Sequence, residues 1–273
     1  MKNNIRLQLS TLLIICSYIA CTDSESVAND SGNTATPPPL ISYTVLASYP
    51  HDTGSFTQGL EIHKGILYES TGNPDNLPNN GSWIGKVNLS TGIADKKALF
   101  PKDVFGEGIS ILHEKIYRLT WQNQKAYIYN LSDYSPVREL MYQGEGWGLT
   151  NDGKNLIMSN GSNILSYRDP QTFKEIKQIS VHDNSGMKNN LNELEFINGY
   201  IFANVWQTSQ ILKIDTANGE VKGVLDLTEF IRNDPKLSVP PTDVLNGIAW
   251  DSSTQKILIT GKKWPAIFEL KLN

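Results

Sequence analysis

Eight side chains with chemical capability occupy corresponding places in this sequence: one carboxylate, Glu107; one lysine, Lys262; three amides, Gln58, Asn192 and Asn246; and three tryptophans, Trp121, Trp147 and Trp206. A few convergent polar groups walled by large indoles describe a small-ligand pocket, in which the polar groups orient a molecule and the rings enclose it. The same set would also suit a structural channel whose polar residues bind only water. Position alone is compatible with both readings.

The correspondence comes from a repeat. The stretch Val104-Phe105-Gly106-Glu107-Gly108-Ile109-Ser110 places one special residue ahead of a short apolar strand, and related stretches occur at Gln58-Gly59-Leu60-Glu61-Ile62, Trp147-Gly148-Leu149, Asn192-Glu193-Leu194-Glu195-Phe196 and Asn246-Gly247-Ile248-Ala249-Trp250. Successive units lie about 40 to 54 residues apart, the range of four-stranded propeller blades. A turn at Gly or Asn leads each unit into a second strand: Gly65 to Tyr68, Lys115 to Leu119, Asn155 to Met158, Tyr200 to Ala203 and Lys256 to Ile259. These runs are short and rich in β-branched and aromatic residues, which predicts strands and not helices. Third and fourth strands follow, as in Ala126 to Asn130, Gln210 to Asp215 and Glu220 to Leu227.

The sequence therefore predicts an all-β, five-bladed propeller over residues 42–273. After Ile259 only one more strand remains, Ala266 to Leu272. Tyr43 to Tyr49 can supply the missing member, closing the ring with an N-terminal strand and removing an open edge. One helical excursion, Leu227 to Arg232, precedes a loop with Pro235, Pro240 and Pro241, and is expected to lie outside the blades as an insertion. In a propeller the first strand of each blade lines the axis and the second returns antiparallel beside it, so the start of one and the end of the other share a face. That brings Gln58, Glu107, Trp147, Asn192 and Asn246 together with Thr71, Trp121, Gly161, Trp206 and Lys262 at one mouth.

The first forty residues have a different character. Lys2 and Arg6 precede an apolar run from Leu7 to Ala20, which reads as a secretory signal over residues 1–20. Ile19-Ala20-Cys21 resembles a bacterial lipobox, which would make Cys21 the lipidated first residue of an exported protein, periplasmic or at the cell surface and anchored to a membrane by lipid. The run is shorter than the roughly 20 apolar residues a spanning helix requires. With Cys16 and Cys21 the only cysteines, the folded part is left without a thiol for a disulfide or a thiolate metal site. Residues 21–41 are rich in Ser, Thr, Asn and Asp and reach Pro37-Pro38-Pro39, the composition of a flexible tether.

Formal net charge is -4, and more negative once Lys2 and Arg6 are set aside, which argues against a nucleic-acid partner. His51, His63, His113 and His182 lack zinc-ligand spacing and none falls at an axial position; each is read as a surface or loop residue. There is no HExxH, no GxSxG and no glycine-rich phosphate loop.

The segments Ser55-Phe56-Thr57-Gln58-Gly59-Leu60, Phe105-Gly106-Glu107-Gly108, Leu119-Thr120-Trp121, Gly144-Glu145-Gly146-Trp147-Gly148-Leu149, Leu191-Asn192-Glu193-Leu194-Glu195, Ala203-Asn204-Val205-Trp206 and Gly261-Lys262-Lys263-Trp264 together resemble the plant-type glutaminyl cyclases. This family of glutaminyl-peptide cyclotransferases, also called glutamine cyclotransferases, is found in bacteria too and is built as five-bladed propellers. The resemblance covers about residues 43 to 273. It implies that Glu107 is the catalytic carboxylate and that Phe56, Gln58, Phe105, Trp121, Trp147, Asn192, Trp206 and Lys262 line the pocket. Asn246 and Thr71, axial by repeat position, have no such counterpart and are assigned to turn or channel hydrogen bonds.

The implied reaction closes an N-terminal glutamine of a peptide or protein on itself to give pyroglutamate and ammonia. The substrate brings its own nucleophile, so the protein has to fold the side chain back, move a proton and stabilise an oxyanion. Glu107 can take the proton from the amine and return it to the leaving nitrogen, which an amide cannot. Lys262, Gln58 and Asn192 can donate to the γ-carbonyl oxygen or orient the amide. The indoles of Trp121, Trp147 and Trp206 would pack on the folded-back side chain and exclude water. Glu69, Glu145, Glu193 and Glu195 stand beside the special positions and are read as structural or as supports behind the site residues. An unrelated class of glutaminyl cyclases uses zinc; here no metal and no cofactor is expected, and the chain is expected to act as a monomer. The competing reading is a non-enzymatic, membrane-anchored propeller that binds peptide or sugar at its aromatic mouth.

Overall fold

The computed structural model describes residues 36–74 and 81–273. The signal segment, both cysteines and most of the tether, residues 1–35, lie outside the described residues.

Short strands with alternating or wholly apolar faces pair into five four-stranded antiparallel sheets. Blade 1 runs Phe56–His63, Ile66–Gly72, Trp83–Asn88 and Ile93–Leu99; blade 2 runs Gly106–Leu112, Lys115–Thr120, Lys125–Asn130 and Pro136–Met141. Blade 3 has Leu149–Asn151, Leu156–Met158, Ile164–Arg168 and Glu175–Ser180; blade 4 has Leu191–Ile197, Tyr200–Val205, Gln210–Asp215 and Val221–Asp226. Leu245–Asp251, Lys256–Gly261 and Ala266–Leu272 form the first three strands of blade 5. Its outer strand is Tyr43–Pro50, which pairs antiparallel with Ala266–Leu272.

Both faces of a blade carry apolar side chains, so each sheet must pack against a neighbour on either side. Five buried clusters meet that need, one at each junction, for example Ile84, Phe100, Ile109 and Ile116 between blades 1 and 2, and Ile257, Ile259, Phe268 and Leu225 between blades 4 and 5. The inner strands touch in cyclic order, including blade 5 against blade 1, and so close the ring.

Four of the five inner strands carry a β-bulge at the repeat's special residue. Pairing with the second strand slips between Thr57 and Gly59, between Gly106 and Ile109, between Leu191 and Leu194, and between Leu245 and Ile248. A bulge leaves an extra residue out of the ladder and re-aims its side chain. Here the extra residues include Gln58, Glu107, Asn192 and Asn246. In blades 1, 2, 3 and 5 a glycine follows the special residue, and crowding at the axis leaves no room for a side chain there: a Cβ on Gly108 would lie 2.5 Å from the Leu149 nitrogen, and one on Gly148 would lie 2.0 Å from the Asn192 carbonyl oxygen.

Several details differ from the sequence expectation. The helix is Thr228–Asn233, one residue later than expected. The turn between blades 3 and 4 carries a small hairpin, His182–Asp183 with Gly186–Met187, which the repeat did not predict. Residues 36–41, assigned by composition to the tether, include a segment docked on the outer edge of blade 4: Val224 N donates to Pro39 O at 2.9 Å and Ile41 N donates to Val224 O at 2.8 Å. An outer strand has free backbone groups, and proline-rich chain can satisfy them through its carbonyls.

His51 is a correction. It is buried, with Nδ1 2.8 Å from Trp264 O and Nε2 3.1 Å from Glu69 Oε1. Burial alone would lower its pKa, but the Glu69 carboxylate outweighs that and raises it. Its place in the turn between the outer strand of blade 5 and the inner strand of blade 1 gave no sign of burial, because that turn folds inward.

Candidate active site

The bulged residues and the ends of the second strands surround a cavity of about 420 Å³ at one end of the ring axis. Phe56, Gln58, Phe105, Glu107, Trp121, Trp147, Asn192, Trp206 and Lys262 all line it. Three rim positions are built in the same way, by tying the residue after a second strand to the residue ahead of the inner strand. Trp121 N donates to Phe105 O, Trp206 N to Asn190 O and Lys262 N to Val244 O, at 2.8 to 3.0 Å.

Three of the ten expected mouth positions do not line the cavity. Thr71 is buried behind it, its Oγ1 accepting from Trp83 N at 3.2 Å. Gly161 forms the floor under Trp147, whose indole would lie 2.7 Å from a Cβ placed there. Asn246 points its amide at blade 1, donating to Thr57 O at 2.9 Å and to Gln58 Oε1 at 3.2 Å. Repeat position fixed where these residues sit on the axis but not which way the side chains turn.

The polar centre is a short relay. Asn246 orients Gln58, and Gln58 Nε2 donates to Glu107 Oε1 at 3.1 Å. The second carboxylate oxygen of Glu107 has no protein partner among the described residues and faces the cavity. Ser70 Oγ donates to Glu107 O at 2.6 Å and fixes its backbone. The Asn192 side chain has no hydrogen bond to any described residue, and its Oδ1 is buried. Lys262 Nζ lies over the Phe56 ring, 4.8 Å from its centroid, and is not within 4.0 Å of a described carboxylate.

Burial pushes the Glu107 carboxyl well above the ordinary range; the Lys262 charge opposes that, Glu145 adds to it, and the Arg118 guanidinium behind the strand opposes it. Burial also lowers Lys262, to about 8, against the pull of Glu107. Burial thus favours the neutral form of both groups, the kind of shift found at proton-transfer sites.

The aromatic wall is built from edge contacts. Phe56 meets Phe105 at 6.1 Å and Phe105 meets Trp121 at 5.8 Å between centroids; Trp147 meets Trp206 at 5.5 Å, nearly perpendicular. Edge-to-face packing of this kind holds rings in one orientation.

Sequence reasoning missed Gln207, Pro241, Thr242 and Val244, which complete the lining. Gln207 follows Trp206 with φ of 64°, a left-handed turn that brings it to the rim. The other three belong to the proline-rich loop, expected to lie apart as an insertion. That loop returns to the mouth because Trp264 Nε1 donates to Asp243 O at 2.7 Å and Lys263 pairs with Asp243 at 3.5 Å. The motif Gly261-Lys262-Lys263-Trp264 contained the anchor, but nothing in it named the loop it holds.

Among the described residues, one buried carboxylate, a lysine and amides stand inside an aromatic mouth at one end of a five-bladed ring. The chain belongs to the glutamine cyclotransferase family, whose sequence profile matches residues 13–272. It is 38% identical over 231 residues to a glutaminyl-peptide cyclotransferase of Arabidopsis thaliana, an alignment spanning 84% of this chain and 70% of the plant protein. It also matches the crystal structure of Myxococcus xanthus glutaminyl cyclase with a TM-score of 0.77 and 32% identity, over 87% of this chain and 99% of that one.

Proposed function

We propose that this protein is a glutaminyl-peptide cyclotransferase that converts an N-terminal glutamine to pyroglutamate and works without a metal. The observation that carries the mechanism is Glu107, buried, held by Gln58 through one oxygen and open to the cavity through the other. The neutral α-amine attacks the γ-carboxamide carbon, and Glu107 takes a proton from that nitrogen. As the C–N bond to the leaving group breaks, Glu107 returns the proton and ammonia departs. Lys262 and the free amide of Asn192 stabilise the developing oxyanion and orient the substrate. Phe56, Phe105, Trp121, Trp147 and Trp206 hold the side chain folded back and keep water out.

A metal-free mechanism is supported by the donor set, since one carboxylate beside a lysine, amides and indoles lacks the ligands zinc needs. A lone ligand-binding role is less well supported, because binding alone does not call for a buried carboxylate with a free oxygen. The test is ammonia release from a glutaminyl dipeptide by purified protein, before and after exhaustive treatment with a strong chelator. Turnover that persists supports the reading; no turnover, or turnover lost on chelation and regained with zinc, overturns it.

The export and anchoring reading rests on residues 1–21 and is proposed on the same terms. Fatty-acid probe labelling of the wild type, absent in Cys21→Ser, is the outcome that supports it.

A further inference from the structure

The aromatic wall of the cavity consists of two separate pieces. Phe56, Phe105 and Trp121 form one run of ring contacts, contributed by blades 1 and 2; Trp147 and Trp206 form another, contributed by blades 3 and 4. Among the described residues no ring pair joins Trp121 to Trp147. Trp121 is 39% exposed, and Phe105 packs against it from one side only.

One carboxylate spans the gap. Glu145 Oε2 accepts from Trp121 Nε1 at 2.8 Å and from Trp147 Nε1 at 3.0 Å, while Oε1 accepts from Gln122 Nε2 at 3.1 Å. Its own backbone is pinned, because Gly146 N donates to Trp121 O at 3.1 Å and Gly146 has no room for a side chain beside the Tyr142 hydroxyl. Gly144 turns the chain with φ of +81°. Burial works to raise the Glu145 pKa, yet the three donors outweigh it and keep it below the ordinary range. Charge-assisted bonds of this kind are about twice as strong as neutral ones. The same oxygen that fixes the two N–H edges thus fixes where both ring faces stand.

We propose that Glu145 is a positioning residue that clamps Trp121 and Trp147 across the junction of blades 2 and 3 and so sets the width of the site for the folded-back glutamine side chain. This rests on the cyclase reading for what the site holds, but the clamp itself is a property of the two indoles. It acts through substrate binding and does not transfer a proton. Losing it should raise KM with a smaller loss in kcat.

The test compares wild type, Glu145→Ala, Glu145→Gln, Trp121→Phe and the double variant Glu145→Ala/Trp121→Phe. Measurements are kcat and KM with a glutaminyl dipeptide, acrylamide quenching of tryptophan emission, and thermal melts. Glu145→Ala should raise KM about tenfold or more, the scale of a lost hydrogen bond to a charged group, and make emission easier to quench while melting close to wild type. Glu145→Gln keeps an acceptor oxygen and should recover most of both. Trp121→Phe removes the N–H and keeps a ring, so it should match Glu145→Ala in KM, and the double variant should add nothing. Unchanged KM and quenching in Glu145→Ala would overturn the clamp, as would loss of kcat at constant KM or additive effects in the double variant. If Glu145→Ala fails to fold, Glu145→Gln and Trp121→Phe decide by the same criteria. Failure of the wild type to cyclise the dipeptide would count against the cyclase reading alone, and the quenching series would still decide whether the indoles are clamped.

Discussion

Glu107 and Glu193 occupy neighbouring places in the repeat and differ in what their oxygens meet. Glu107 is the special residue of blade 2, while Glu193 stands in blade 4 where blades 1, 2, 3 and 5 have glycine. Both are buried, and burial pushes both carboxyls well above their ordinary range. Glu193 spends its oxygens on the fold: Oε1 accepts from Leu60 N at 3.2 Å and Oε2 from Ile248 N at 2.8 Å, joining blade 4 to blades 1 and 5 across the axis. Glu107 has one side-chain donor and an oxygen left over in a cavity. A buried, perturbed carboxylate is therefore no sign of catalysis in itself. Unused hydrogen-bonding capacity facing a cavity is the better sign.

The largest expected effect separates the two directly. Glu107→Gln should lower kcat for dipeptide cyclisation about 100- to 10,000-fold with little change in melting temperature or in substrate binding. Glu193→Ala should do the reverse, leaving turnover per folded molecule near wild type while stripping two buried amides of their acceptor. An unmet buried donor costs about 1 to 3 kcal/mol, so urea denaturation should show a loss of about 2 to 6 kcal/mol for the two. If Glu193→Ala abolished turnover in folded protein, the division of labour drawn above would fail.

The next effect sharpens the comparison through pH. Glu193 and Glu195 are raised, and Glu61, beside them on the axis, is raised to about 8 from 4.5, chiefly by burial. A carboxyl raised on folding contributes stability that is complete below its unfolded pKa and is lost as pH climbs through the folded one. Stability should thus fall as pH rises from about 4.5 to about 8, and Glu61→Gln should flatten the slope. A melting temperature that climbs over this range and is indifferent to Glu61→Gln would contradict it.

The smallest effect concerns the shape of the rate profile. The reacting α-amine, with a pKa of roughly 7.7 to 8.0, must be neutral, and Glu107 must be ionised, so kcat/KM should rise with pH. It should bend over as Lys262, lowered to about 8, gives up its charge. Lys262→Arg keeps the charge at higher pH and should move that bend upward even if the maximum drops. A bend that stayed in place would remove Lys262 from the oxyanion's surroundings.

What was legible in the sequence follows the same line between position and orientation. The repeat exposed the five blades because a special residue ahead of a short apolar strand recurs in each, and in blades 1, 2, 3 and 5 crowding at the axis adds a glycine directly after it. It exposed Gln58, Glu107, Asn192, Trp121, Trp147, Trp206 and Lys262 because each stands at a fixed point in a unit, and the resemblance added Phe56 and Phe105. It did not separate Asn246, Thr71 and Gly161 from the lining, since a turn of one side-chain torsion decides that. Pro241, Thr242 and Val244 were invisible because a loop held by Trp264 and Lys263 has no period. The burial of His51 depended on a partner, Glu69, eighteen residues away, and no local pattern connects the two.

The start of the described chain also shapes how the ring would answer to force. Pro39 and Ile41 bond the outer edge of blade 4, and a few residues later Tyr43–Pro50 forms the outer edge of blade 5. Tension entering from the residues before Thr36 would first strip the few bonds to Val224, and only then reach the long strand that joins the chain's beginning to its end. The load path runs along the outer edges of blades 4 and 5 and includes no residue that lines the cavity, so the first segment can detach as a mechanical fuse while the mouth keeps its shape.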